Sequence, residues 1–134
     1  MSDTSDTPKA LSGIRVIDFR RIVAGPHCTM CLADLGADVI KIEDTGKGDD
    51  LRNHKPPHIE CDSPYFLSLN RNKQSIAIDM AAPEGRDVIL ELLSEADVLV
   101  ENFRTGVIEK FGFGYESLKN RFPKLVYCSI SGYG

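Results

Sequence analysis

Polar and charged residues follow five apolar runs of the chain, and they are the candidates for ligand binding or catalysis. They occupy residues 18–21 (DFRR), 43–46 (EDTG), 79–80 (DM), 101–104 (ENFR) and 131–133 (SGY). If the apolar runs are parallel strands, these groups meet at the edge where open α/β sheets bind ligands. Arg20, Arg21 and Arg104 would bring positive charge to that edge, and Lys110 would add to it. The pattern predicts a rim for a small anionic ligand, although each basic residue taken alone is more typical of a solvated surface.

The turn after the first apolar run carries no familiar nucleotide motif. Ala24-Gly25-Pro26 lacks G-x-G-x-x-G, and the chain has no G-x-x-x-x-G-K-[ST]. A helix beginning at Gly25-Pro26 would still offer backbone N–H groups to an anion. No G-x-S-x-G motif is present either. We interpret Asp18 and Asp79, which end predicted strands, as acceptors for backbone N–H groups in the following turns rather than as nucleophiles.

Cys28 and Cys31 form a C-x-x-C pair, the spacing of a redox site or of half a zinc site. No second pair accompanies them, and the three histidines are scattered. With Leu32 and Leu35, the two cysteines fall at i, i+3, i+4 and i+7, which is the pattern of a helix buried on one face. We therefore predict that both thiols are buried packing groups, and that the chain holds no metal.

The composition is that of one globular domain. The chain has 134 residues, 42% of them hydrophobic and 27% charged, with a net charge of −4. The acidic balance argues against a nucleic-acid surface. No apolar run approaches the roughly 20 residues of a membrane span, and residues 1–9 lack the features of a secretory or transit signal. We expect a cytoplasmic protein that does not bind membranes, with a disordered tail at residues 1–10 and one domain at 11–134.

Apolar periodicity predicts alternating strands and helices. Strands are predicted at residues 14–19, 38–43, 75–80, 98–102 and 125–131, and helices at 25–35, 83–96, 106–110 and 115–121. Residues 44–63 form a long polar loop, a length typical of functional segments, and the apolar run 65–69 stays unassigned. The order predicts an α/β, Rossmann-like fold, with a largely parallel sheet and helices on both faces.

Six segments, in order and in register, resemble the class III CoA-transferases, the carnitine dehydratase/bile-acid-inducible family that includes formyl-CoA transferase. They are LSGIRVIDFRRIVAGPHCTMCLADLGADVIKIE, GDDLR, NRNKQSIAIDM, PEGRDV, DVLVENFRTGVIEKFG and LVYCSISGYG. Members of the family are several times longer, so the chain resembles an N-terminal portion. The resemblance implies a Rossmann-like CoA-binding domain at residues 11–134, a second small domain, and two subunits interlocked as a homodimer.

The resemblance also implies the chemistry of the full-length protein. An aspartate attacks the acyl-CoA thioester to give a mixed anhydride, then carries CoA as an aspartyl thioester until a free carboxylic acid collects it. That aspartate is expected after Gly134, so no catalytic residue is assigned here. Coenzyme A and its acyl thioesters are substrates, and no permanently bound cofactor is expected. The 134 residues alone are expected to bind CoA without turnover.

Ten positions of the chain match CoA-contacting positions of similar enzymes. They are Val23 and Ala24 in the first turn, Ile78, Asp79, Met80 and Ala81 at the third strand's end, Asn102, Phe103 and Arg104 in the ENF segment, and Lys110. Phe103 would lie against the adenine, and Lys110 is basic where similar enzymes carry a basic residue. Asp44 departs from the pattern, because similar sequences often place Arg there to meet a CoA phosphate. Lys47 or Arg20 could substitute.

Two alternatives stay open at this point. One is an α-methylacyl-CoA racemase of the same family, which needs acid/base groups rather than an acyl-accepting aspartate. The segment 62–75 (DSPYFLSLNRNKQS) and the long loop before it favour the transferase, because racemase-like members tend to shorten that loop. The other is a CoA-binding fragment with no activity. The residues that choose the acyl donor and the acceptor acid are expected mostly beyond Gly134.

Overall fold

A computed structural model describes residues 8–19, 22–54 and 62–132 of the chain. Its five strands are β1 (Arg15–Asp18), β2 (Asp38–Glu43), β3 (Lys73–Ala77), β4 (Val98–Glu101) and β5 (Val126–Ser129). All neighbouring strands pair in parallel, in the order β3-β2-β1-β4-β5. The order reverses between β1 and β4, which is the topological switch point of a doubly wound sheet. The predicted Rossmann-like α/β fold is confirmed.

Within these described ranges, five helices connect or follow the strands. They are α1 (Ala24–Asp34), α2 (Pro64–Asn70), α3 (Pro83–Ser94), α4 (Val107–Lys110) and α5 (Tyr115–Leu118), and a short 3₁₀ helix spans Asp50–Asn53. The unassigned run 65–69 is therefore helix α2. Its start is set by Ser63, whose Oγ accepts from the Phe66 N–H at 3.0 Å, and by Pro64 in the first turn. The segment is too short for apolar periodicity to reveal it.

Alternating residues of the strands build two cores on opposite faces of the sheet. Ile17 and Leu99 are fully buried on one face, where they pack with residues of α3 to α5 such as Ile89. Val16 and Val39 lie on the other face, packed with Ala33 of α1. Helices thus cover both faces of the central strands, while β3 and β5 keep much of their side-chain surface exposed.

The predicted buried stripe of α1 is wrong at two of its four residues, while Cys28 and Leu32 pack partly buried against the core on the sheet. The helix buries Gly25, Pro26, Thr29, Met30 and Ala33, whereas Cys28 is half-buried and both Cys31 and Leu35 are exposed. The helix is buried on two sides: Ala33 packs against the core on the sheet, and Met30 packs against Phe66 and Leu69 of α2. The helix is therefore rotated about its axis relative to the predicted orientation.

Candidate functional site

A cavity of about 160 Å³ opens at the carboxyl ends of the strands. Its lining is largely apolar, with carboxylates at the rim, and consists of Phe19, Ile42, Glu43, Asp44, Ile78, Asp79, Met80, Ala81, Phe103 and Phe111. The residues come from the last two positions of β2, from the segments that follow β1, β2, β3 and β4, and from the residue that follows α4. An apolar cleft with a few polar groups at this edge is the usual form of a ligand site in an open α/β sheet.

The segment after β3 forms one wall, and a tight turn fixes its shape. The Ile78 N–H donates to the Glu43 carbonyl at 2.9 Å, which extends the pairing of β2 and β3 by one residue. Asp79 Oδ1 accepts from the Ala81 N–H at 2.9 Å, as predicted for this aspartate. Helix α3 then passes directly over the turn. A Cβ on Gly85 would lie 1.9 Å from the Asp79 carbonyl oxygen, so only glycine fits there.

The opposite wall follows β4. Glu101 is buried at the strand end, and its Oε2 accepts from the Phe103 N–H at 2.8 Å. Phe103 is tilted against Phe111, with ring centroids 6.3 Å apart. A second, more open cavity of about 320 Å³ adjoins this wall and is lined by Asn102, Phe103, Arg104, Thr105, Ile130, Ser131 and Gly132. Phe103 therefore separates the two cavities.

Of the ten predicted positions, seven line one or both cavities. The exceptions among the described residues are Val23, Ala24 and Lys110, which line neither. Val23 and Ala24 are exposed at the start of α1, where no side chain caps the helix. Lys110 is exposed at the end of α4. Arg20 and Arg21 lie outside the described residues.

Asp44 has a structural role of its own at the rim. Its Oδ1 accepts from the N–H groups of Gly46 and Lys47, both at 2.9 Å, and so closes the turn that follows β2. Lys47, a predicted substitute for the missing arginine, is exposed in the same turn. The acid at this position thus shapes the loop that begins at the cavity.

Sequence reasoning missed a set of buried ion pairs beneath the rim. Glu43 accepts from Arg52 at 2.7 and 2.8 Å, from Ser75 Oγ at 2.6 Å and from the Asp49 N–H at 2.9 Å. Burial by itself would raise the pKa of the Glu43 carboxyl, but these hydrogen bonds outweigh it and lower the pKa to about 2. Arg52 also binds Asp62 at 2.9 Å, so it joins both ends of the segment 52–62 to β2.

Two buried ammonium groups complete this set. Lys41 Nζ lies 2.7 Å from Asp49 Oδ2, and Lys73 Nζ lies 3.3 Å from Asp18 Oδ2. None of these four side chains is more than 2% exposed. Burial lowers the pKa of Lys73, although the Asp18 carboxylate opposes the shift. The one signal in the sequence is Lys41 within the apolar strand DVIKIE, since a buried lysine requires a partner.

Among the described residues, no helix is long and apolar enough to cross a bilayer. No group of three or more metal-ligating side chains occurs among those residues either.

The strand order and the cavity at its carboxyl edge define a doubly wound α/β protein with a candidate ligand site. The model of CoA-transferase family III matches residues 11–134, and the chain belongs to that family. This confirms the resemblance that its motifs predicted.

Known relatives agree with this assignment. The chain is 48% identical to succinyl-CoA:glutarate CoA-transferase of Mus musculus over 129 residues, which is 96% of the chain. It is 46% identical to formyl-CoA:oxalate CoA-transferase of Bradyrhizobium diazoefficiens over 126 residues, 94% of the chain. It spans only 30% of the length of either relative. A CAIB/BAIF family protein from Brucella suis has the same fold, with a TM-score of 0.88, 45% identity, and coverage of 96% of this chain and 35% of that one.

Proposed function

We propose that this chain is the N-terminal, CoA-binding part of a longer CoA-transferase. The observation that carries the proposal is the cavity at the carboxyl ends of the strands. Its walls after β3 and β4 are built from five of the ten positions that match CoA-contacting residues of similar enzymes, namely Ile78, Asp79, Met80, Ala81 and Phe103. The relatives named above, at 46–48% identity, are CoA-transferases and support the same reaction class.

The lining of the first cavity suits the adenosine end of CoA. Phe103, backed by Phe111, offers a flat apolar surface for the adenine. Asp79 and Asp44 at the rim are acceptors for hydroxyl or amino groups. Because carboxylates repel phosphate, we assign the phosphates to the side of Arg104, an exposed residue lining the adjoining cavity, and to the exposed Lys110.

The reaction then proceeds in the longer protein through a carboxylate nucleophile supplied outside these 134 residues. The aspartate attacks the thioester carbonyl, the C–S bond breaks, and CoA leaves as a thiolate from a mixed anhydride. The thiolate attacks the aspartyl carbonyl, releases the donor acid and forms an aspartyl-CoA thioester. The acceptor carboxylate repeats the exchange in reverse, which regenerates the aspartate and gives a new acyl-CoA. The part described here holds CoA in place while the acyl group bonded to its sulfur is exchanged. The active protein is an interlocked homodimer.

The test uses the intact protein with a panel of acyl-CoAs and free carboxylic acids, with products identified by mass. The expected result is a new acyl-CoA that appears only when both donor and acceptor are present. Epimerisation of a 2-methylacyl-CoA without any acceptor would identify a racemase instead. CoA binding without turnover would leave only the binding role, and absence of CoA binding would refute the proposal.

A matched pair of variants tests the cavity itself. Phe103→Ala removes its aromatic wall, and we expect the apparent KM for acyl-CoA to rise about tenfold. The control is Phe122→Ala, since Phe122 is also half-buried but lines a cavity beside the amino ends of β4 and β5. An equal effect of the two changes would mean that Phe103 acts through stability rather than through contact with CoA.

A further inference from the structure

Lys73, the first residue of β3, is a buried cation with no part in the mechanism above. Its side chain is 2% exposed. Its ammonium group lies 2.9 Å from the Pro26 carbonyl oxygen, 3.1 Å from Asn70 Oδ1 and 3.3 Å from Asp18 Oδ2. An ammonium group has three N–H donors. Each is therefore matched by an acceptor on a different element, namely α1, α2 and β1.

The contact with Pro26 concerns the start of α1. Pro26 lies in the first turn of that helix, directly after Val23, Ala24 and Gly25. A second donor links the helix to β1, because Thr29, one turn further along α1, gives its single hydroxyl proton to Asp18 Oδ2 at 2.6 Å. Asp18 Oδ2 therefore accepts from both Lys73 and Thr29, which ties the start of α1 to the end of β1.

Stability alone is a weak reason for burying such a group. Removing an ammonium group from water costs several kcal/mol, and well-packed apolar residues often replace buried ion pairs without loss of stability. What an apolar side chain lacks is a directed hydrogen bond to a backbone carbonyl. The arrangement thus favours a role in fixing geometry, and the geometry that it fixes is that of the first turn of α1.

We propose that Lys73, with Asp18 and Thr29, is a positioning residue that holds the first turn of α1 in place for acyl-CoA. This inference rests on the proposed function, in which Val23 and Ala24 of that turn contact CoA. Lys73 is remote in sequence from the turn and is buried, so it acts through the Pro26 carbonyl and not by touching the ligand.

The test compares variants of the intact protein by acyl-CoA kinetics. Asp18→Asn combined with Lys73→Met removes both charges, so no unpaired charge stays buried. We expect a KM for acyl-CoA raised about tenfold or more with kcat changed much less, because the lost contact positions a part of CoA that does not react. Thr29→Val keeps the shape of the side chain and removes the hydroxyl, and it should raise KM for acyl-CoA about threefold. If the double variant does not fold, Thr29→Val replaces it in the test.

Arg71→Met is the matched control. Arg71 lies two residues from Lys73 and also binds α1, but at Asp34 near its C-terminal end. Its removal should leave KM unchanged. If Arg71→Met raises KM as much as the other changes do, general attachment of α1 explains the effect and the inference fails. The inference also fails if the double variant binds acyl-CoA as well as the wild-type protein does, or if Thr29→Val does so where the double variant does not fold. In that case the proposed function still stands, because the wild-type protein binds acyl-CoA.

Discussion

The two faces of the sheet are built differently from the same strands. On the face toward α3, residues such as Ile17, Ile42 and Leu99 form a mainly apolar core, with the buried carboxylate of Glu101 at its carboxyl edge. On the face toward α1, Val16 and Val39 are apolar, but the residues two positions further along each strand are charged. Asp18, Lys41 and Glu43 are all buried there, close to the carboxyl edge that bears the candidate site. One face supplies cohesion, and the other holds loops and turns in defined positions.

The physical reason for the difference lies in what each interaction can specify. Apolar burial depends on area and is nearly independent of direction. Ion pairs and hydrogen bonds are directional, and their desolvation cost consumes much of their energy. We therefore expect changes on the apolar face to act mainly on stability, and changes on the charged face to act on geometry and pH dependence.

Leu99→Ala should have the largest effect on stability. Leu99 is completely buried in the apolar face, so its truncation leaves a cavity and should lower the free energy of unfolding by about 2–5 kcal/mol. Urea unfolding followed by circular dichroism measures the change. Val126→Ala, at a residue that is 60% exposed on β5, is the control and should change little. Similar losses in both variants would contradict the assignment of cohesion to this face.

Glu43→Gln tests the charged face through pH. Because the pKa of Glu43 is lowered from 4.5 to about 2, its carboxylate stabilises the fold above the unfolded pKa. That contribution, on the order of 3 kcal/mol, is lost as the pH falls from about 4.5 through about 2. The Gln variant should be less stable at neutral pH and show a flatter loss of stability in this range.

The control for Glu43 is Glu116→Gln, which removes a carboxylate that is 76% exposed and paired with Lys119. Its stability should follow the wild-type pH profile closely, since exposed ion pairs contribute little. If Glu43→Gln keeps the wild-type slope between pH 4.5 and 2, the carboxylate is not held by Arg52 and Ser75 as described.

The strands could be predicted from the sequence because their signal is local. Continuous apolar runs such as DVIKIE give buried parallel strands, and the predicted bounds of β2 match those observed. The β3 prediction began two residues late, because Lys73 and Gln74 are polar residues in an edge strand. The walls of the cavity could also be predicted, because residues that follow parallel strands lie at the same edge of the sheet.

The buried ion pairs could not be predicted, for two reasons. Lys73 and Asp18 are 55 residues apart. Glu43 and Arg52 are only 9 residues apart, but Arg52 follows a polar loop that has no apolar periodicity to show which side chains turn inward. Nothing local indicates that the polar loop after β2 turns its Asp49 inward toward Lys41. The orientation of α1 was wrong for a related reason. Hydrophobicity favoured the stripe with Cys31 and Leu35, but α2, which the sequence did not reveal, buries the side of α1 that carries Met30.

Lys110→Ala should affect ligand binding with little effect on stability. Lys110 is exposed at the end of α4, outside both faces of the sheet. If it meets a CoA phosphate in the intact protein, its loss should raise the KM for acyl-CoA by an amount equal to about 1–3 kcal/mol, more strongly at low salt. Lys124→Ala, at another exposed lysine near the amino end of β5, is the control. An unchanged KM at low salt would show that Lys110 does not contact a CoA phosphate.

The smallest effect is expected on the outer side of α1, away from both packed faces. Cys31 is exposed, so Cys31→Ala should change the free energy of unfolding by less than about 0.5 kcal/mol. Cys28 is half-buried against the core that contains Val16, and Cys28→Ala should cost on the order of 1 kcal/mol. Iodoacetamide should accordingly label Cys31 faster than Cys28 in the folded protein. Equally slow labelling of both thiols would support the buried stripe predicted from the sequence. Zinc retained after dialysis would show that the two cysteines form a metal site.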